Sequence, residues 1–284
     1  MPELMASGGR PSIWYETMGD ASNDALVLLH GFTTTHRTWD KLGERLVKSR
    51  FLILPDLPGH GKSGVSSSWA EMGVGPTSDA LAEVVAQEIG KRKAALLGYS
   101  LGGRVALDLA CKHQELLSCL ILEGASPGIE AEDIRTERRA KDDALADEIE
   151  RLGVEWFVDH WQETALFSTQ KDLDRDVFDA MRRDRLSNSA NGLAMSLRAA
   201  GTGAMVPLWD KIGELKIPVL LVVGKKDRKY AEIGEAMRER IPESTEVRVN
   251  GAGHCVHVER PQEFATLTER FLAGVPATML AADR

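Results

Sequence analysis

Residues 96–107, with the sequence LLGYSLGGRVAL, decide how this chain folds. The apolar residues before Gly98 predict the end of a buried strand, and the apolar spacing after Gly102 predicts a helix. A strand, the pattern Gly-x-Ser-x-Gly and a helix, in that order, form a nucleophile elbow, a tight turn that presents a serine hydroxyl at the end of a strand. The turn leaves no room for side chains two positions before and after the serine, and both positions are glycine. The stretch therefore nominates Ser100 as a nucleophile or base; the alternative is a glycine-rich turn with an incidental serine.

The composition limits the classes of protein to which the chain can belong. With 284 residues, 43% of them hydrophobic, it can bury one substantial core, or one core and a smaller appendage. A net charge of -8 gives no support to binding of nucleic acid or of an anionic membrane. The apolar runs are strand-sized, and the N-terminus lacks the features of a secretory signal. Three widely spaced cysteines, Cys111, Cys119 and Cys255, form no metal-ligand pattern, so we expect a cytoplasmic enzyme with reduced thiols and no metal.

Short apolar segments alternate with helical patterns along most of the chain. Apolar segments with the length of buried strands lie at 25–29, 51–54, 95–97, 119–122 and 217–223, and a further short strand is predicted over 246–249. An amphipathic helix is predicted over 77–89, before the elbow. Strands that are apolar throughout and alternate with helices indicate an α/β fold, with a mostly parallel sheet covered by helices on both faces.

The strand rhythm stops between residues 127 and 204. This segment holds charged, helix-forming sequence without a clear strand. We expect residues 1–126 and 205–284 to form the core, with 127–204 as a helical lid over the carboxyl ends of the strands, where ligands bind in such folds. The alternative is a packed helical subdomain without a gating role. A loose tail is expected over 274–284.

Two further side chains follow strands in the order that an elbow requires. Asp227 comes after the strand at 217–223, and His254 lies in a glycine-flanked loop after the strand at 246–249. An imidazole that accepts the serine proton, steadied by a carboxylate, would activate Ser100. Asp227 also has a simpler interpretation as a surface loop acid.

The backbone N–H groups of Phe32, after an early strand, and of Leu101, after the serine, are placed to form an oxyanion hole. Together with the elbow and its partners, these positions predict an alpha/beta-hydrolase fold.

Arg104 lies one turn into the helix that follows Ser100. From there its guanidinium can reach the pocket and bind a carboxylate through two hydrogen bonds. An ordinary ester hydrolase has little use for a cation at this place. The alternative is an arginine paired with a nearby acid on the protein.

Several segments resemble the 2-succinyl-6-hydroxy-2,4-cyclohexadiene-1-carboxylate synthase family of menaquinone biosynthesis. The elbow and the triad loops are general to the superfamily. Gly-Gly-Arg after the elbow and the sequence EGASPG at 123–128 are much more particular. The similarity spans nearly the whole chain and covers 98–107, 122–128, 137–139, 143–146, 156–159, 185–188 and 201–203.

The resemblance implies a lyase. In this family the triad serine, activated by histidine, starts proton abstraction from 2-succinyl-5-enolpyruvyl-6-hydroxy-3-cyclohexene-1-carboxylate. Pyruvate is eliminated as the ring becomes a diene, without an acyl-enzyme and without a cofactor. Three substrate carboxylates account for arginines in the pocket. The resemblance assigns one lid arginine to either Arg138 or Arg139 and an aromatic lid contact to either Trp156 or Trp161. The substrate-binding residues that it implies are Tyr99, Arg104, Arg138, Arg139, Arg185 and Trp161.

Two rival functions remain at this point. The first is a carboxylesterase or a carbon–carbon bond hydrolase on the same fold, in which Ser100 performs acyl transfer or acts as a base toward water. The second is a non-catalytic ligand receptor that keeps the hydrolase shell; the complete set of serine, acid and histidine argues against it. The oligomeric state is not readable from the sequence.

Overall fold

Within residues 3–4, 12–66 and 68–274, which the computed structural model describes, eight strands form one mostly parallel sheet. The strands are β1 (Glu3–Leu4), β2 (Ile13–Met18), β3 (Ala25–Leu29), β4 (Phe51–Pro55), β5 (Ala94–Tyr99), β6 (Leu117–Glu123), β7 (Val219–Gly224) and β8 (Ser244–Val249). Their order across the sheet is β1-β2-β4-β3-β5-β6-β7-β8. Only β2 runs antiparallel to its neighbours β1 and β4 among these strands. The predicted α/β fold with a mostly parallel sheet is confirmed.

Helices cover both faces of the sheet. They are α1 (Asp40–Leu46), α2 (Val74–Ile89), α3 (Leu101–His113), α4 (Glu132–Gln162), α5 (Arg175–Leu186), α6 (Ala190–Ala200), α7 (Arg228–Arg240), α8 (Val256–Glu259) and α9 (Pro261–Leu272). Successive side chains of a strand point to opposite faces. In β3, Val27 and Leu29 therefore pack with α2 and α3, while Leu26 and Leu28 pack with α1 and α9.

The start of α2 differs from the sequence prediction. The helix begins at Val74, ahead of the position 77 that the apolar spacing indicates. Pro76 lies in the first turn, where a helix has no hydrogen-bond partner for the N–H that proline lacks. The proline is therefore compatible with the helix start and does not mark a break before it.

The segment between β6 and β7 forms a separate layer. Over 127–204 the structure describes α4, α5 and α6 but no strand. α4 bends at Gly153, and side chains of α4 and α6, among them Phe157 and Leu197, form a small core of their own. Phe32, just beyond the carboxyl end of β3, packs against this core, so the layer covers that end of the sheet.

The inserted layer leaves the core and returns to it at one place. The Leu208 N–H donates to the Pro127 carbonyl at 2.8 Å, and the Trp209 indole donates to the Gly128 carbonyl at 2.9 Å. We refer to residues 127–128 and 208–209 as the neck. The two ends of the insertion are thus held together by direct hydrogen bonds.

Two further observations concern the ends of the chain and its apolar segments. The tail expected over 274–284 lies outside the described residues, except for its first residue, Gly274. In the part of the chain that the structure describes, no helix combines the length and the apolar character needed to span a bilayer.

Candidate active site

Ser100 lies in the tight turn between β5 and α3. Its φ of +51° belongs to the left-handed region, which a non-glycine residue seldom adopts. The flanking glycines are sterically required, because a Cβ on Gly98 would lie 2.4 Å from the Gly102 carbonyl oxygen, and one on Gly102 would lie 2.4 Å from that of His30. The turn therefore has the close approach and backbone strain of a nucleophile elbow, and it exposes the serine hydroxyl.

His254 connects Ser100 to Asp227. Its Nε2 lies 3.1 Å from Ser100 Oγ, and its Nδ1 lies 2.7 Å from Asp227 Oδ2. Both His254 and Asp227 are buried. The other carboxylate oxygen of Asp227 accepts the Tyr230 N–H at the start of α7, so the acid is held on a helix N-terminus. A carboxylate at Nδ1 selects the tautomer whose Nε2 can accept the serine proton.

A small cavity lies directly over the serine. It has a volume of about 60 Å³, and we refer to it as the serine chamber. Phe32 and Leu101, whose N–H groups are the expected oxyanion donors, both line it. Leu101 is the first residue of α3, so its N–H has no partner within the helix. The other lining residues are Ser100, Arg104, Arg138, Trp161, Leu166, Ser196, Leu197, Ala200, Gly201, Thr202 and Tyr230.

Arg104 brings an uncompensated guanidinium to the serine chamber. Its side chain is buried and donates to the Ala200 carbonyl at 2.5 Å, and no acid within the described residues lies within salt-bridge distance of it. Burial lowers the pKa of Arg104 to about 10, so it stays protonated at neutral pH. Arg138 lines the same chamber and pairs with Asp142, with Nε 2.8 Å from the carboxylate. The chamber thus has two cations but a protein carboxylate for only one.

A second, larger cavity of about 530 Å³ lies beside the serine chamber, and we refer to it as the side cavity. Phe32 lines both cavities. Arg185, in the wall of the side cavity, is 2% exposed; its Nη2 donates to Gln170 at 3.0 Å, while its buried Nε has no hydrogen-bond partner among the described residues. The guanidinium also lies 5.1 Å from the centroid of the Phe167 ring, and burial lowers its pKa. This arginine is therefore incompletely satisfied by the protein.

The structure distributes the expected substrate-binding side chains unevenly. Arg104, Arg138 and Trp161 line the serine chamber, and Tyr99 and Arg185 line the side cavity.

Arg139 lines neither of these two cavities. Its guanidinium lies 5.3 Å from the centroid of Trp69, and its Nε is 3.9 Å from Asp143. Trp156 stacks on His160 instead of lining either cavity. The structure therefore does not bring Arg139 to the site. Of Arg138 and Arg139 it places Arg138 there, and of Trp156 and Trp161 it places Trp161 there.

Some residues at the site were not expected from the sequence. Tyr230 lines the serine chamber, with its ring centroid 4.5 Å from that of His254. The only sequence signal for it is its position three residues after Asp227, in the first turn of a helix.

A buried ion pair lies behind Tyr99. His257 Nδ1 is 2.8 Å from Glu123 Oε2, and both side chains are almost fully buried. Burial opposes protonation of His257, but Cys255 and Glu123 outweigh it and raise the pKa to about 10. The ring of Tyr99 packs edge-on against His257, with centroids 4.8 Å apart. This pair therefore supports the residue that precedes the serine.

The comparisons with known proteins agree with this geometry. A family model described as the alpha/beta hydrolase fold matches residues 24–261, so fold and site define an alpha/beta hydrolase. A putative 2-succinyl-6-hydroxy-2,4-cyclohexadiene-1-carboxylate synthase of Bacillus subtilis is 38% identical over 257 residues, which cover 90% of this chain and 93% of that protein. The synthase of that name from Salmonella arizonae is 31% identical and covers 86% of this chain and 91% of its own. The chain belongs to the 2-succinyl-6-hydroxy-2,4-cyclohexadiene-1-carboxylate synthase family of alpha/beta hydrolases, which confirms the resemblance found in the sequence.

Solved structures of two related enzymes superimpose on this chain. MenH from S. aureus superimposes with a TM-score of 0.88 at 35% identity, over 92% of this chain and 98% of that one. A thermophilic esterase from Thermogutta terrifontis superimposes with a TM-score of 0.84 at 25% identity, over 97% of this chain and all of that one. The backbone therefore serves enzymes with more than one chemistry, and the side chains of the site must decide between them.

Proposed function

We propose that this protein eliminates pyruvate from 2-succinyl-5-enolpyruvyl-6-hydroxy-3-cyclohexene-1-carboxylate, giving 2-succinyl-6-hydroxy-2,4-cyclohexadiene-1-carboxylate. The observation that carries the proposal is Arg104, a buried guanidinium without a protein carboxylate in a chamber that also contains Ser100. A buried charge is costly unless it is paired, so a carboxylate ligand is the natural partner. The proposal includes a polycarboxylate substrate and a cytoplasmic setting.

The proposed reaction uses Ser100, His254 and Asp227 as a base assembly. His254 takes the hydroxyl proton of Ser100, and the serine oxygen removes the proton from ring carbon 2, next to the succinyl carbonyl. The electron pair forms the bond between carbons 2 and 3, the existing double bond shifts to carbons 4 and 5, and the bond from carbon 5 to oxygen breaks. The released enolate takes the proton held by His254 to become pyruvate, so His254 and Ser100 both return to their original forms with no acyl-enzyme.

The oxyanion hole would act on the succinyl carbonyl. As the proton leaves ring carbon 2, negative charge develops on that carbonyl oxygen. The N–H groups of Phe32 and Leu101 are the proposed donors to it, and donors held in place before the reaction stabilise the transition state more than the ground state. Asp227 keeps His254 in the required tautomer and stabilises the imidazolium.

We propose that the substrate occupies both cavities. A ligand of this size needs a pocket of about 300 Å³ or more, whereas the serine chamber holds about 60 Å³. Phe32 lines both cavities, so a rotation of its ring would connect them. Arg104 and Arg138 would then bind carboxylates near the serine, and Arg185 would bind one in the side cavity. The layer over 127–204 acts in this proposal as a lid.

The experiment that tests the proposal measures pyruvate release from freshly prepared substrate. Wild type, Ser100→Ala and Arg139→Met are compared, with spontaneous decay of the substrate subtracted. We expect rapid release by wild type and by Arg139→Met, whose side chain lies outside both cavities, and release near background by Ser100→Ala. No acceleration by wild type, together with hydrolysis of p-nitrophenyl acetate, would refute the lyase assignment.

A carboxylesterase is the second candidate, favoured by the similarity to the Thermogutta terrifontis esterase. The same triad and oxyanion donors would serve acyl transfer. The candidates differ in their need for Arg104, because a neutral ester has no carboxylate to bind. Arg104→Met should therefore leave ester turnover nearly unchanged and reduce pyruvate release strongly.

A further inference from the structure

The loop that carries one expected oxyanion donor is strained. This loop, residues 31–35, connects β3 to the start of the following helical turn, and we refer to it as the oxyanion loop. Thr33 has a φ of +77°, and Ser100 is the other non-glycine residue with positive φ in the described part of the chain. A β-branched residue in this region is unfavourable, and such strain persists only where surrounding contacts impose it. His30 and the Thr34 hydroxyl donate to the Gly31 carbonyl, in the same peptide as the Phe32 N–H. The contacts around Thr33 act on the next peptide and therefore contribute to how this N–H is aimed.

Two residues that are distant in sequence supply such contacts: Asp184, in the last turn of α5, and Asn188, just beyond the end of that helix. Asp184 accepts two hydrogen bonds from Thr35: one from its N–H at 3.0 Å and one from its hydroxyl at 2.5 Å. Asn188 donates to the Thr33 carbonyl at 2.7 Å and accepts the Gly61 N–H at 2.8 Å. The inserted layer thus holds the oxyanion loop directly, at the carbonyl of its strained residue and at Thr35.

A third contact comes from the core. His60 Nε2 accepts the Thr33 N–H at 3.2 Å, while its Nδ1 donates to the Pro58 carbonyl at 3.2 Å. Burial lowers the pKa of His60 to about 3, so the ring stays neutral and keeps its acceptor nitrogen. His60 contacts only the N–H of Thr33. The Thr33 carbonyl is held by Asn188, and Thr35 is held by Asp184.

We propose that Asp184 and Asn188 are positioning residues that aim the Phe32 N–H at the serine chamber by holding the oxyanion loop. The inference rests on the proposed function, since it assigns these residues to the stabilisation of the developing oxyanion. Arg185 lies between them in the sequence, so one turn of chain holds the oxyanion loop and also presents a guanidinium to the side cavity. Neither residue touches the reacting atoms.

The test compares three variants that differ in one polar atom. Asp184→Asn keeps one acceptor oxygen and loses the other. Asn188→Asp keeps the acceptor for Gly61 but replaces the donor to Thr33 with an oxygen that repels its carbonyl. Asp179→Asn is the matched control, because it removes the same negative charge from the same helix, while Asp179 pairs with Arg175, lines neither cavity and has no described hydrogen bond to the oxyanion loop.

Two readouts are taken from each folded variant. We expect Asp184→Asn and Asn188→Asp to lower kcat by about 10- to 100-fold with KM within about twofold, since an oxyanion donor acts in the transition state. Amide hydrogen exchange of residues 31–35 should become faster in both. Asp179→Asn should match wild type in kcat and in exchange.

Several outcomes would overturn the inference. Exchange of the oxyanion loop equal to wild type would show that these side chains do not hold it. Faster exchange with unchanged kcat would show that the loop does not position a catalytic donor, and an equal loss of kcat in Asp179→Asn would assign the effect to charge. If one variant fails to fold, the other decides. Lack of pyruvate release by wild type would refute the proposed function and leave the inference to be tested separately. In that case kcat for p-nitrophenyl acetate replaces kcat for pyruvate release as the readout, and the same changes are expected in each variant.

Discussion

Gly124→Ala should uncouple His254 from Ser100 while leaving the fold intact. Gly124 follows β6, has a φ of +53°, and faces the edge of the His254 ring. A Cβ at this position would lie 2.9 Å from His254 Cε1 and 3.1 Å from Nδ1. The ring cannot move freely, because it is buried and hydrogen-bonded at both nitrogens.

The size of the effect can be worked out from these distances. Ordinary contact lies at 3.4–4 Å, so the ring must move by about 0.5–1 Å. A shift away from the serine by that amount would lengthen the 3.1 Å separation of Nε2 and Oγ to about 3.6–4.1 Å, beyond hydrogen-bonding distance. A misplacement of about 1 Å costs on the order of 10²-fold in rate. The left-handed backbone adds a separate loss of stability of about 1–2 kcal/mol.

The assay is kcat for pyruvate release, with thermal unfolding measured in parallel. Gly90→Ala is the matched control, because Gly90 also has a left-handed φ of +62° but has no atom within 4 Å of the added Cβ. Both variants should lose about 2–8 °C in Tm. Only Gly124→Ala should lose about 10²-fold in kcat. Equal kcat in the two variants would refute the view that the position of His254 is set by the space beside Gly124.

Three further predictions concern the charged groups. Asp227→Asn should lower kcat by about 10⁴-fold, because the amide favours the wrong tautomer of the histidine; a loss below tenfold would contradict this role. Arg104→Met should raise KM at least about tenfold, since a hydrogen bond between charged groups contributes about 1.5–3 kcal/mol, while Arg139→Met should leave KM within about twofold. The pKa of His257 is raised from 6.5 to about 10, so its contribution to stability is complete below pH 6.5 and is lost as the pH rises through 10. Urea midpoints should therefore fall over this range, and fall less in Glu123→Gln; parallel curves would disagree with the pairing.

The sequence predicts the sheet and the relative placement of Ser100, Asp227 and His254 because these depend on local patterns. Each residue follows a strand that can be predicted from the sequence, and the carboxyl ends of parallel strands meet at one edge of the sheet. The elbow is also local, since the absence of side chains at Gly98 and Gly102 is a property of neighbouring residues. Topology then brings the three side chains together without further information.

The remaining parts of the site depend on contacts between distant segments. Arg138 and Arg139 are adjacent in sequence, and only the rotation of α4 places the first in the serine chamber and the second over Trp69. Thr35 and Asp184 are 149 residues apart, so no pattern links them before the helices are packed. The division of the site into two cavities has the same origin, because it depends on where the ring of Phe32 lies.

The neck at residues 127–128 and 208–209 has an evolutionary consequence. Because the chain departs and returns at one point, closed by two hydrogen bonds, the length and sequence between these ends can change without altering the register of any strand. Evolution can therefore replace the inserted layer as one unit while the triad stays in place.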